Sequence, residues 1–137
     1  MYEKIIVPVD LAHVKTLEKA LRTAAELAKL YGARLSYLGI TASSPGPIAH
    51  TPEEFGEKLD AFAKERSGKD GVAATAEYKV VPDPARQLDH ALLAAIDKSG
   101  ADLVVMASHR PGFAEHFFAA HAGHVAAHAK ASVMVVR

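Results

Sequence analysis

Apolar residues come in short unbroken runs set between longer stretches of helical period. Ile5-Ile6-Val7 within Lys4-Ile5-Ile6-Val7-Pro8-Val9-Asp10 is such a run. Absence of alternation suits a strand buried on both faces, as in a parallel sheet. Pro8 has no N–H for a ladder bond, so the strand should end there. Leu17, Ala20, Leu21, Ala24, Leu27, Ala28 and Tyr31 then recur at steps of three and four, the period of an amphipathic helix. Gly32 is its stop signal. Residues 33–40 read as a second strand and 41–50 as a Ser/Pro/Gly loop. Thr51-Pro52-Glu53-Glu54 opens a helix with an N-cap, a first-turn proline and a glutamate three residues after the cap. That helix is expected to reach about Arg66, with a turn over 67–71 and a third strand over Val72 to Val81. Pro82-Asp83-Pro84 opens a helix with Leu88, Leu92, Ala95 and Ile96 on one face, stopped by Gly100. Leu103 to Met106 is the fourth strand, a helix from about Ala120 to Ala129 follows, and Val133 to Val136 is the fifth strand.

Strands alternating with helices predict an α/β fold. The expectation is one domain over 1–137: a five-stranded parallel sheet of order 3-2-1-4-5, Rossmann-like, with helices on both faces. That order sets strands one and four side by side at the switch point. A ligand crevice is expected between their tips, Pro8-Val9-Asp10 and Ala107-Ser108-His109-Arg110. On its own, Asp10 reads as a turn or N-cap residue.

Composition narrows the function classes. The 137 residues are 50% hydrophobic, and sixteen basic residues balance sixteen acidic ones. No net cationic charge favours nucleic acid or an anionic membrane. No cysteine is present, which excludes disulfide and thiolate chemistry. No apolar run reaches membrane-spanning length and no signal-peptide pattern leads the chain, so the expectation is a cytoplasmic protein without membrane insertion.

Four stretches, in order, resemble the universal stress protein family along essentially the whole chain. They are Ile5-Ile6-Val7-Pro8-Val9-Asp10, Pro82-Asp83-Pro84-Ala85, Gly100-Ala101-Asp102-Leu103-Val104-Val105-Met106, and Ala107-Ser108-His109-Arg110-Pro111 with a following helix, His128-Ala129 and a Val-rich end. The resemblance implies an adenine nucleotide alpha hydrolase-like fold and a stress-response regulator that binds ATP, AMP or another adenine nucleotide, with Mg if ATP. It implies no enzyme activity beyond slow incidental ATP hydrolysis. Pro8, Val9, Asp10 and Ile40 would hold base and ribose, and Ala107, Ser108, His109 and Arg110 the ribose and phosphate. Many members carry Gly-x2-Gly-x9-Gly-Ser/Thr, whose last pair opens a phosphate-holding helix. This chain has Ala107, Arg110, Ala120 and His121 there. A subgroup shares Ala-Ser-His-Arg-Pro but keeps the later Gly-Ser. Ala120, His121 and Ala122 would thus form an altered helix N-terminus, with imidazole where a small hydroxyl is expected.

Other groupings have plainer readings. His121, His124 and His128 share a helical face, and His124/His128 have i, i+4 metal spacing. No acidic residue on that helix completes a site, so no metal is expected. Ser108-His109 are adjacent on a loop and point apart, which argues against a nucleophile–base pair. Phe113, Phe117 and Phe118 read first as core packing, and their place between loop and helix also suits a lid over the crevice or a partner contact. The last strand should be a bare sheet edge, and pairing of Val133, Met134, Val135 and Val136 with a second copy would cover it in a two-fold homodimer. The resemblance points the same way and adds an unidentified regulatory protein partner. The alternative is a dimeric interaction module of the same fold that binds no nucleotide.

Overall fold

The computed structural model describes residues 1–108 and 117–137, with backbone alone for 117–120. The elements are β1 (Lys4–Pro8), a 3-10 turn (Leu11–Leu17), α1 (Glu18–Tyr31), β2 (Arg34–Ala42), α2 (Pro52–Asp70), β3 (Ala74–Val81), α3 (Pro84–Ser99), β4 (Leu103–Ala107), α4 (Phe117–His128) and β5 (Ser132–Val136). The five strands form one sheet in the order β3-β2-β1-β4-β5, with every neighbouring pair parallel. This is the α/β Rossmann-like architecture expected from the apolar runs.

The central strands divide the core. Ile5, Val7, Leu35, Tyr37, Leu103 and Val105 face α1 and α2, whereas Ile6, Leu38, Val104 and Met106 face α3 and α4. Burial on both faces is why these strands lack polar alternation. No helix among the described residues is long and apolar enough to cross a membrane.

Several boundaries differ from expectation. α2 runs to Asp70, past Arg66 and through most of the expected turn. Ser67 sits inside the helix because its Oγ donates to the Ala63 carbonyl and accepts from the Ala74 N–H. The terminator is Gly71, with φ of 68°, a left-handed conformation that glycine adopts without a Cβ clash. β2 extends to Ala42. α4 already includes Phe117, so it starts before Ala120.

At the amino ends of the strands, Asp102 ties β1 to β4. Its carboxylate accepts the Glu3 N–H at 2.9 Å and the Lys4 N–H at 3.0 Å, while its own N–H donates to the Lys4 carbonyl. Burial pushes the Asp102 carboxyl up, but those N–H groups outweigh burial and hold it below its ordinary value. A depressed carboxylate adds stability that is complete above its unfolded pKa and is lost as pH falls through the folded one. The urea midpoint should therefore fall on acidification below about pH 4, the ordinary carboxylate range. Asp102→Asn should lower the neutral-pH midpoint and flatten that acid limb. An unchanged limb would assign the acid sensitivity to other carboxylates.

Candidate functional site

β1 ends at Pro8, and the chain stays against β2 for one more residue through the Val9 N–H to Leu38 carbonyl bond. Asp10 then caps the 3-10 turn. Its Oδ1 accepts the Ala12 N–H at 3.0 Å and its Oδ2 pairs with His13 Nδ1 at 2.8 Å. The carboxylate is thus fixed at the carboxyl end of the central strand.

β2 overshoots β1 and hands the chain to a roof over residues 43–50. Ser43 N–H bonds the Val81 carbonyl, and Gly46 N–H bonds the Ala49 carbonyl. Thr51 Oγ1 caps α2 by accepting the Glu54 N–H, and Glu54 Oε2 accepts the His50 N–H. That backbone bond, with Lys58 close by, holds the Glu54 carboxyl below its ordinary value. The roof is in this way pinned to the first turn of α2, and Lys58 Nζ also donates to the Ile48 carbonyl.

Beneath the roof lies a cavity of about 200 Å³. Val9, Asp10 and Leu11 come from the β1 end, Ile40, Thr41 and Ala42 from β2, Ile48 and Ala49 from the roof, Phe55 from α2, and Pro84 and Leu88 from α3. Among the described residues, Asp10 is the one charged group lining it. The cavity is smaller than the roughly 300–1,000 Å³ usual for larger ligands. Apolar walls and a fixed carboxylate suit a flat ring bearing hydroxyl donors.

The expected site residues are distributed unevenly. Val9, Asp10 and Ile40 meet in this cavity. Pro8 is buried in β1 beside it without lining it. The described cavity sits over β1 and β2, where β2 and the roof project beyond β1; the crevice was expected between the β1 and β4 tips, and its β4 side beyond Ser108 lies outside the described residues. Ala107 and Ser108 end β4, where the Ser108 N–H bonds the Val136 carbonyl, and they do not line the cavity. His109 and Arg110 lie outside the described residues, as do His116 and the side chains of the three phenylalanines near them.

The expected helix N-terminus at Ala120-His121-Ala122 needs correction. With Phe117 already helical, His121 and Ala122 lie beyond the first four N–H groups, which alone lack helix partners. Ala122 is 3% exposed and belongs to the core with Leu92 and Val125. The His121 imidazole pairs through Nδ1 with the Asp89 carboxylate on α3. His124 and His128 stack with ring centroids 4.3 Å apart, and His128 Nδ1 is bonded to the His124 carbonyl. Among the described residues, no group of three or more His, Cys, Asp or Glu side chains could hold a metal.

Sequence reasoning missed the roof, Phe55, Pro84 and Asp89. The Ser/Pro/Gly composition after β2 marked a loop, but nothing local showed that it folds back over Asp10. Asp89 and His121 lie on separate helices, and their pairing has no short-range signature.

Comparison with known proteins fits this architecture. The model of the universal stress protein family matches residues 1–137. Universal stress protein G of Shigella flexneri is 30% identical over 148 residues, covering 100% of both chains. A universal stress protein solved in complex with cAMP superposes with TM-score 0.68 at 20% identity, over 99% of this chain and 97% of that one. The universal stress protein from Archaeoglobus fulgidus in complex with dAMP gives TM-score 0.67 at 22% identity, over 99% and 98%. The two structures establish the shared fold. With every residue matched by the family model and a full-length relative at 30% identity, the chain belongs to the universal stress protein family.

Proposed function

We propose that the cavity at the β1 and β2 tips receives the base and ribose of an adenine nucleotide, and that the protein is a cytoplasmic regulator rather than an enzyme. The observation that carries this reading is the position of the Asp10 carboxylate, fixed by Ala12 and His13 at the edge of a mostly apolar hollow. Ribose hydroxyls would donate to Asp10 while Val9 and Ile40, backed by Pro8, pack on the base. Ala107, Ser108, His109 and Arg110 are assigned to the phosphate side. The cAMP and dAMP complexes of structural relatives support the ligand class.

The phosphate side favours a short ligand. His121 is already engaged by Asp89 and lies within the body of α4. AMP or a cyclic monophosphate is therefore preferred over ATP, with Mg accompanying only ATP. Homodimerisation through Val133, Met134, Val135 and Val136 belongs to the same reading. Met134 and Val135 are large apolar residues left 39% and 40% exposed on β5, an edge a second copy would cover.

Calorimetry on nucleotide-stripped protein tests the proposal, with AMP, cAMP and Mg-ATP titrated separately. The expected result is saturable heat with AMP or cAMP. Asp10→Ala should weaken it at least about tenfold, the scale of a hydrogen bond to a charged group. Absence of heat and of thermal shift with all three at millimolar concentration would overturn the proposal. The second reading, a dimeric interaction module without nucleotide, would then stand, and the occupied state of His121 already favours it.

A further inference from the structure

The other margin of the sheet is β3, and among the described residues it pairs only with β2. Its hydrogen-bonding parity follows from one contact. The Val81 carbonyl accepts from Ser43, the residue after β2. N–H and C=O groups of successive strand residues point to opposite sides, so the odd-numbered residues of β3 face β2. Those of Ala76, Tyr78 and Val80 face outward and form a ready ladder, whereas the outward Ala74 N–H is already taken by Ser67 Oγ.

The two faces of this edge differ. On the α2 face, Tyr78 and Val80 are 43% and 40% exposed. The Tyr78 ring is held edge-on to Phe55 with centroids 6.1 Å apart, and it lies over Gly56, where an added Cβ would sit 2.6 Å from it. On the α3 face, a groove of about 380 Å³ runs along Leu38, Glu77, Lys79, Ala95 and Lys98. Glu77 is neutralised by Lys4 at 2.6 Å, and Lys4 also donates to the Ser99 carbonyl. Lys79 and Lys98 leave the groove cationic.

We propose that the β3 edge is a docking site for an extended segment of a partner protein, added as a sixth strand, with apolar side chains on the Tyr78/Val80 face and acidic side chains facing Lys79 and Lys98. Strand addition takes its affinity from main-chain bonds and its specificity from alternate side chains. Opposite charges across a strand pair attract and like charges repel. A second copy of this chain is the poorer occupant. With β5 paired two-fold, a second self-pairing edge would extend the sheet without closure.

The probes are two synthetic nonapeptides, acetyl-Gly-Val-Glu-Val-Glu-Val-Glu-Val-Gly-amide and its Lys-for-Glu counterpart, each with a fluorophore and read by anisotropy. The acidic peptide is expected to bind saturably and the basic one at least tenfold more weakly. Val80→Pro removes an outward N–H and no ladder bond to β2. It should reduce acidic-peptide affinity at least tenfold with an unchanged circular dichroism spectrum. The double variant Lys79→Glu/Lys98→Glu should reverse the charge preference. Equal binding of both peptides, no binding of the acidic peptide, or indifference to Val80→Pro would each overturn the proposal. Disulfide dimers of Tyr78→Cys, formed in a chain with no other cysteine, would overturn it in favour of self-pairing.

Discussion

Replacing Arg66 with alanine should lower the unfolding free energy by about 3–5 kcal/mol, the usual cost of breaking a buried ion pair from one side. The melting temperature should drop by roughly 10–15 °C for a domain of this size. Arg66 is 4% exposed. Its Nε and Nη2 donate to the two carboxylate oxygens of Asp70 at 2.9 and 3.1 Å, and its Nη1 donates to Glu18 Oε2 at 2.8 Å. The guanidinium therefore joins the first turn of α1 to the last turn of α2. Desolvation pulls its pKa down, but Glu18 and Asp70 outweigh that and raise it, so the charge persists at every working pH. The Arg66 hydrogen bond in turn holds the Glu18 carboxyl below its ordinary value. Arg66→Lys should recover only part of the loss, because an ammonium cannot make the planar two-pronged contact with Asp70. Thermal and urea melts of both variants check this. A loss under about 1 kcal/mol, the range of exposed ion pairs, would show that water replaces the guanidinium freely.

Gly39→Ala should destabilise the protein by about 1–3 kcal/mol, the range for overpacking a core, and should also empty the cavity of usable space. A Cβ at Gly39 would lie 2.6 and 2.7 Å from two carbons of the Phe55 ring and 3.1 Å from Leu59 Cδ2. Phe55 lines the cavity, and Leu59 is fully buried behind it. A ring displaced by that Cβ would be pushed into the hollow it lines. Urea titration should show the stability loss. Under the nucleotide reading, calorimetry should show weakened AMP binding with Asp10 untouched. Adding Phe55→Leu should restore stability beyond the sum of the two single effects, because the residues touch. An additive pair would mean that the strand, not the ring, gives way.

Topology was legible because it rests on local signals that agree. Unbroken apolar runs marked the buried strands, and Gly32 and Gly100 ended helices in the left-handed conformation expected of them. The α2 end was misread because Gly68 looks like Gly71 in sequence. The difference is made by Ser67, which bonds both within the helix and to β3. Asp10 as a turn cap was read from position alone, and the structure shows that cap. The cavity's location was not legible, since it depends on how far β2 overshoots β1 and on a roof fastened by Glu54 and Lys58. The α4 start was read from the chain pattern at about Ala120, and the burial of Ala122 shows that packing against α3 sets the helix's position.

The Asp102 clasp has a practical consequence for experiments. It anchors the chain's first strand at the end of the sheet remote from the Asp10 hollow, leaving Met1 92% exposed. A purification tag or fluorophore joined there would leave the mouth clear. The opposite terminus is a poorer attachment point, because the Arg137 carbonyl is held by Lys19 at 2.6 Å beside the strand tips.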